Sequence, residues 1–113
     1  MTTQDTRPWG SEEIFTTNES TTVKILTINP GEECSLQYHN HRKEFWKVIE
    51  GEAILQIGDN KIDAALGSEY EIPVGTQHRI IGKDKPGKIL EISYGEFDEN
   101  DIVRLEDKYG RLK

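Results

Sequence analysis

The sequence holds one cysteine, Cys34, so no disulfide can form within the chain. It also lacks long apolar runs. No stretch approaches the roughly 18 consecutive apolar residues that a membrane-spanning helix requires. Met1 to Thr6 is polar, without the apolar core of a secretory signal. A lone thiol and no signal core predict a protein of the reducing cytoplasm. Basic residues are in deficit: 14 Lys and Arg face 21 Asp and Glu, for a formal net charge of −7. That balance excludes nucleic acid and anionic membranes as main partners. An anionic small molecule stays compatible, because a few local cations inside an acidic shell suffice to hold one.

At 113 residues the chain is expected to form one domain with one core. Residues 1–6 are expected to be a flexible N-terminus and residues 7–113 a single domain. No repeat, low-complexity segment or linker divides it. From Val23 onward, short β-rich runs alternate with breaks such as Asn29-Pro30-Gly31, Gly51, Gly58-Asp59-Asn60, Gly67, Pro73-Val74-Gly75 and Lys85-Pro86-Gly87. The runs are Val23–Ile28, Ser35–His41, Phe45–Glu50, Ala53–Ile57, Lys61–Ala64, Glu69–Ile72, His78–Ile81 and Lys88–Tyr94. Strands at this spacing predict an all-β sandwich or barrel. Asp98 to Lys108, acidic first and basic later, is expected to be a short C-terminal helix.

Histidine is scarce, and all three copies sit where a metal could use them. Gln37, His39 and His41 alternate with Leu36, Tyr38 and Asn40, so in a strand they share one face. Glu44 opens the next run, and His78 opens a later one just after Pro73-Val74-Gly75. Two adjacent strands aiming Gln37, His39 and Glu44 inward, with His78 added from a third, would build one divalent metal site. Imidazole, carboxylate and amide suit a borderline ion: zinc first, with cobalt, manganese, nickel or iron as alternatives. Four protein ligands around an expandable shell leave room for water or substrate. The plain alternative for any single histidine is a core or surface role. Cys34 lies out of phase with Gln37 and reads as a buried core thiol.

These residues resemble the cupin signatures. Gly31, Glu44 and Gly51 anchor the first, with Gln37 and His39 in its paired-histidine positions. Gly67, Pro73-Val74-Gly75 and His78 carry the second, with Gly82 standing where the signature has Asn. The resemblance implies a cupin double-stranded β-helix barrel with the metal in its mouth. A closer similarity, to type II mannose-6-phosphate isomerase domains, runs through most of the chain. It is carried by Arg7-Pro8-Trp9-Gly10, Ser35 to Arg42, Ile72-Pro73, His78-Arg79 and the ending Asp101 to Arg111. That family often joins this domain to a mannose-1-phosphate guanylyltransferase domain. The present sequence has no such segment, so no nucleotidyl transfer is expected of it. Phe45, Lys47 and Cys34 depart from the family pattern; alternation turns Phe45 and Lys47 away from Glu44.

The resemblance implies metal-dependent interconversion of mannose 6-phosphate and fructose 6-phosphate, with Gln37, His39, Glu44 and His78 as ligands and a homodimer as the assembly. His41, which shares the ligand face in strand alternation, is the first choice of base, because histidine is the side chain that ordinarily changes charge near neutral pH; a loop-capping role is its alternative. Arg42 is expected beside the chemistry. Arg42, Arg79 and Arg7 are candidates for the phosphate, since a guanidinium fork binds phosphate oxygens in pairs. Alternation turns Arg79 outward, where a surface ion pair is its alternative role. Trp46 lines the pocket or fills the core. The competing functions are a cupin that binds a sugar or small acid without catalysis, and a cupin oxygenase.

Overall fold

The computed structural model describes residues 3–112. Among them are eleven strands and no helix. Strands β1 (Thr3–Arg7) and β2 (Gly10–Ile14) form a separate N-terminal hairpin. Strands β3 (Thr21–Ile28), β10 (Gly87–Tyr94), β5 (Glu44–Glu50) and β8 (Glu69–Ile72) form a four-stranded sheet in that order. A five-stranded sheet runs β11 (Val103–Glu106), β4 (Leu36–Tyr38), β9 (His78–Gly82), β6 (Ala53–Ile57) and β7 (Asn60–Ala64). Every pairing is antiparallel.

The two sheets face one another over a shared core. Trp46, Val48 and Ile89 come from the four-stranded sheet, and Ala53, Leu55, Ala64 and Ile80 from the five-stranded one. Full burial of each larger apolar side chain contributes about 1.5–3 kcal/mol. The turn from β5 to β6 passes close to the start of β10. A Cβ on Gly51 would stand 2.2 Å from the Pro86 carbonyl oxygen, and its φ of 65° suits glycine.

Alternation is unusual on two strands. On β5, Glu44 and Trp46 point into the cavity while Phe45 points outward, yet Phe45 is only 1% exposed. The segment after β2 covers it: the Phe15 ring packs against it at 5.8 Å. Lys47, on the same outer face, donates to Glu13 of the hairpin and to Glu69. The family departures at Phe45 and Lys47 therefore fasten the hairpin and leave the inner face untouched. On β3 the usual pattern is inverted, with Val23 and Ile25 exposed while Lys24 lines the cavity.

Two expectations differ from the structure. Asp98 to Lys108 is not helical; Val103–Glu106 is strand β11, paired along β4. Val103 and Leu105 favour a strand, and β4 offers an open edge whose backbone groups need partners. Thr3–Arg7 is strand β1, paired along β2, while Met1 and Thr2 lie outside the described residues. Finally, β4 and β5 are not neighbours. They belong to opposite sheets, so Glu44 approaches His39 across the barrel.

Candidate metal centre and cavity

Glu44, the first residue of β5, is 2% exposed and sits between two imidazoles. Its Oε2 lies 3.5 Å from His39 Nε2 and its Oε1 lies 3.5 Å from His78 Nε2. The candidate ligand atoms of His39, Glu44 and His78 all fall within 4.8 Å of one another. The two rings are tilted with centroids 5.0 Å apart, and Trp46 packs edge-on to His78 at 5.4 Å.

The backbone fixes both tautomers. His39 Nδ1 is 2.6 Å from the Asp101 carbonyl oxygen, and His78 Nδ1 is 2.8 Å from that of Thr76. A carbonyl only accepts, so each Nδ1 carries the proton and each Nε2 presents a lone pair toward Glu44. Burial is the largest influence on both rings and holds their pKa below the ordinary value. Burial alone would raise Glu44, but the His78 imidazole, a bond with Glu91, His39 and Arg42 together hold it low. Two neutral imidazole lone pairs and a carboxylate therefore converge on one point. That donor set fits a divalent cation, with each histidine oriented from behind by a carbonyl. Gln37 on β4, directly opposite His78 in register, lines the same cavity.

The cavity above this cluster is about 590 Å³, within the range of small-molecule sites. Arg42 is buried in its wall. Its Nε donates to Glu44 Oε2 at 3.3 Å, its NH1 to the Asp98 carbonyl at 3.0 Å, and its NH2 is 3.4 Å from His39 Nε2. Trp46 lines the cavity and is also part of the core, with its indole Nε1 buried and without a partner. Cys34 is half-buried against the core, and burial raises its thiol pKa.

Other expected residues sit elsewhere. His41 is exposed and does not line the cavity. Its backbone N–H donates to Asp101 Oδ2 at 3.0 Å, which turns its side chain out of strand phase with Gln37 and His39. Strand β4 ends at Tyr38, so the alternation that put His41 on the ligand face does not reach it. Arg7 is exposed, with its guanidinium on Glu12 at 2.8 Å. Arg79 borders the cavity, but its guanidinium is held by Glu106 at 3.2 Å.

Two residues escaped the sequence reading. Glu91 on β10 is buried, lines the cavity and stands beside Glu44; Ser93 Oγ lies 3.4 Å from Glu44 Oε2 and 3.5 Å from Glu91 Oε1. Burial first, then the charge of Glu44, raises its pKa to about 8. A charged residue between Leu90 and Ile92 on a strand apolar on both faces was its only signal. Asp101 was the second: its carboxylate accepts from the backbone N–H groups of Asn40 and His41 while its carbonyl holds His39.

Residues 1–107 match the profile of the mannose-6-phosphate isomerase C-terminal family. The chain belongs to that family. Similar members include the mannose-1-phosphate guanylyltransferase ManC of Salmonella typhimurium, 40% identical over 112 residues, with 94% of this chain and 22% of ManC covered. The xanthan biosynthesis protein XanB of Xanthomonas campestris is 38% identical over 107 residues, covering 93% of this chain and 23% of XanB. The chain thus spans under a quarter of the length of these family members. Among solved structures, a cupin-superfamily sugar phosphate isomerase from Silicibacter pomeroyi superposes with a TM-score of 0.61 at 21% identity. The match covers 82% of this chain and 71% of that one, which establishes the cupin fold. Among the described residues no helix is long and apolar enough to cross a membrane.

Proposed function

We propose that the chain is a metal-dependent aldose–ketose isomerase that interconverts mannose 6-phosphate and fructose 6-phosphate through an enediol. The observation that carries this is the placement of a buried, protonatable Glu91 beside the His39–Glu44–His78 cluster, at the wall of a cavity of about 590 Å³. Family membership supports it, as does the name of the S. pomeroyi structure.

His39, Glu44 and His78, with Gln37, would hold the ion, which when bound polarises a sugar carbonyl and stabilises negative charge on its oxygens. Glu91 is the base in this reading, in place of His41. Its carboxylate takes the proton from C2 of the aldose and returns it to C1, while the hydroxyl proton on O2 is given up and O1 gains one. A carboxyl held near neutrality by burial is suited to both directions. Ser93 stays within reach of both carboxyl groups and orients them. Arg42, fixed by Glu44 and the Asp98 carbonyl, keeps a positive charge beside the developing enediolate.

We place the protein in the cytoplasm, with zinc as the first candidate ion. A homodimer is consistent with the apolar edge strand β3, whose Val23 and Ile25 are exposed; light scattering of the purified chain tests the assembly. The activity is tested by incubating EDTA-treated protein with mannose 6-phosphate after separate additions of zinc, cobalt, manganese and nickel. Metal-dependent appearance of fructose 6-phosphate, lost in Glu44→Ala, is expected. A protein that binds an ion tightly and turns nothing over would instead be a binding cupin.

A further inference from the structure

The sequence offers Arg7, Arg42 and Arg79 as cations for a substrate anion, and the structure engages all three. Arg7 is outside the cavity on Glu12, Arg42 is on Glu44 and the Asp98 carbonyl, and Arg79 is on Glu106. Arg104 is different. It lines the cavity and its Nε is buried without a hydrogen-bond partner, as that of Arg79 is, but unlike Arg79 it has no carboxylate among the described residues paired with its guanidinium. A buried donor left unpaired is costly, and more so a charged one, unless a partner arrives from outside the chain.

Its position is set by register. Arg104 on β11 lies opposite Gln37 on β4, and Gln37 lies opposite His78 on β9. The three therefore form one row across the sheet, with the ion-binding cluster at one end and the free guanidinium at the other. Two strand spacings put the backbones of Arg104 and His78 about 10 Å apart. A six-carbon sugar bearing a terminal phosphate is long enough to bridge the two ends of that row. Lys24 adds a second cation to the cavity wall, with its Nζ 4.2 Å from the centre of the Phe97 ring.

We propose that Arg104 is the anion-binding, specificity-determining residue of the cavity, receiving the phosphate of a sugar phosphate whose carbonyl end lies at His39, Glu44 and His78. The proposal rests on the isomerase reading for the carbonyl end only; the anion site stands on Arg104 itself. It requires no contact from Arg7, and it gives the β11 strand a role in recognition as well as in closing the sheet.

Binding of fructose 6-phosphate and of unphosphorylated fructose to the full chain, measured by calorimetry with and without cobalt, tests this. The wild type is expected to prefer the phosphate ester. Arg104→Gln is expected to lose at least tenfold in fructose 6-phosphate affinity with its cobalt isotherm unchanged, and Arg7→Gln to bind as wild type. Arg104→Lys, which keeps the charge but not the fork, is expected to fall between and serves if the glutamine variant is unstable. Equal fructose 6-phosphate affinity in wild type and Arg104→Gln overturns the proposal. So does a wild type that binds fructose as well as its phosphate. Turnover that persists with binding indifferent to Arg104 sinks this inference alone, whereas phosphate binding at Arg104 without turnover sinks the isomerase reading and leaves Arg104 in place.

Discussion

The Nδ1 of His39 donates to the backbone carbonyl of Asp101 at 2.6 Å, across 62 positions of sequence. The Asp101 carboxylate closes the same contact from the other side by accepting from the N–H groups of Asn40 and His41 at 2.8 and 3.0 Å. The loop after β4 and the segment before β11 thus hold the imidazole between them, and the metal centre depends on a residue that never touches the ion.

Asp101→Ala removes the carboxylate and leaves two backbone donors without their acceptor. The Asp101 carbonyl that accepts from His39 remains, but the loop contacts that hold it against the imidazole are gone. Metal affinity should fall by up to about tenfold, the low end of what disturbing an outer partner of a ligating histidine costs. Competition with a chromophoric chelator measures this. Unchanged affinity would show that the carboxylate only trims the loop.

In the proposed mechanism Glu91 takes the role of base that strand alternation assigns to His41. Glu91→Gln is expected to lower isomerisation by about 100-fold or more, and His41→Ala, at an exposed position, to leave it within about twofold of wild type. Initial rates on mannose 6-phosphate decide the matter. The reverse pattern would restore His41 as the base.

The metal-free protein should carry a stability profile set by the same buried groups. Glu91, raised to about 8, keeps its proton in the folded state while the unfolded chain releases it near 4.5. Its contribution is therefore full below about pH 4.5 and is lost as pH rises through about 8. His39 and His78 are depressed, so their contribution is full above about pH 6.5 and is lost as pH falls below it. Between pH 6.5 and 8 only the Glu91 effect remains among these three. Melting temperatures of EDTA-treated protein should decline across that window, and the decline should vanish in Glu91→Gln. A flat wild-type profile would show that Glu91 is not held protonated.

Gly82 stands where the cupin signature has Asn, and the structure explains why Asn is not tolerated here. A Cβ at this position would meet the Asn29 carbonyl oxygen at 2.3 Å and that of Glu32 at 3.0 Å. Gly82→Asn must displace the backbone around Asn29 and should destabilise by about 1–3 kcal/mol, as overpacking usually does. Urea denaturation measures the loss. A neutral result would mean that the Asn29–Glu32 turn moves freely.

The sequence was most legible where alternation and glycine breaks agreed. Ala53–Ile57 and Glu69–Ile72 fall where the pattern put them, and His39, Glu44 and His78 converge as their spacing required. It was least legible where a local signal competes with a distant one. The charge gradient from Asp98 to Lys108 resembles a helix, but the open edge of β4 draws Val103–Glu106 into the sheet. His41 shares the phase of Gln37 and His39 only while the strand continues, and the Asp101 carboxylate ends it. That Lys24, Glu91 and Arg104 face the cavity was not legible, because apolar residues flank each of them on both sides and alternation could not tell which face was inner.

Protein synthesis runs from the N-terminus toward the C-terminus, and that direction has a bearing on β11. His39, Glu44 and His78 all leave the ribosome before Asp101 and Arg104 do. A nascent chain therefore carries its ion-gripping side chains while one imidazole is still free to choose either tautomer and one flank of the barrel is open to solvent. The contact that fixes His39 and the strand that covers the edge of β4 are consequently properties of the finished chain. A premature stop shortly before Asp101 would yield a product that keeps His39, Glu44 and His78 but has lost both the carbonyl that orients one imidazole and the strand that closes the sheet beside β4.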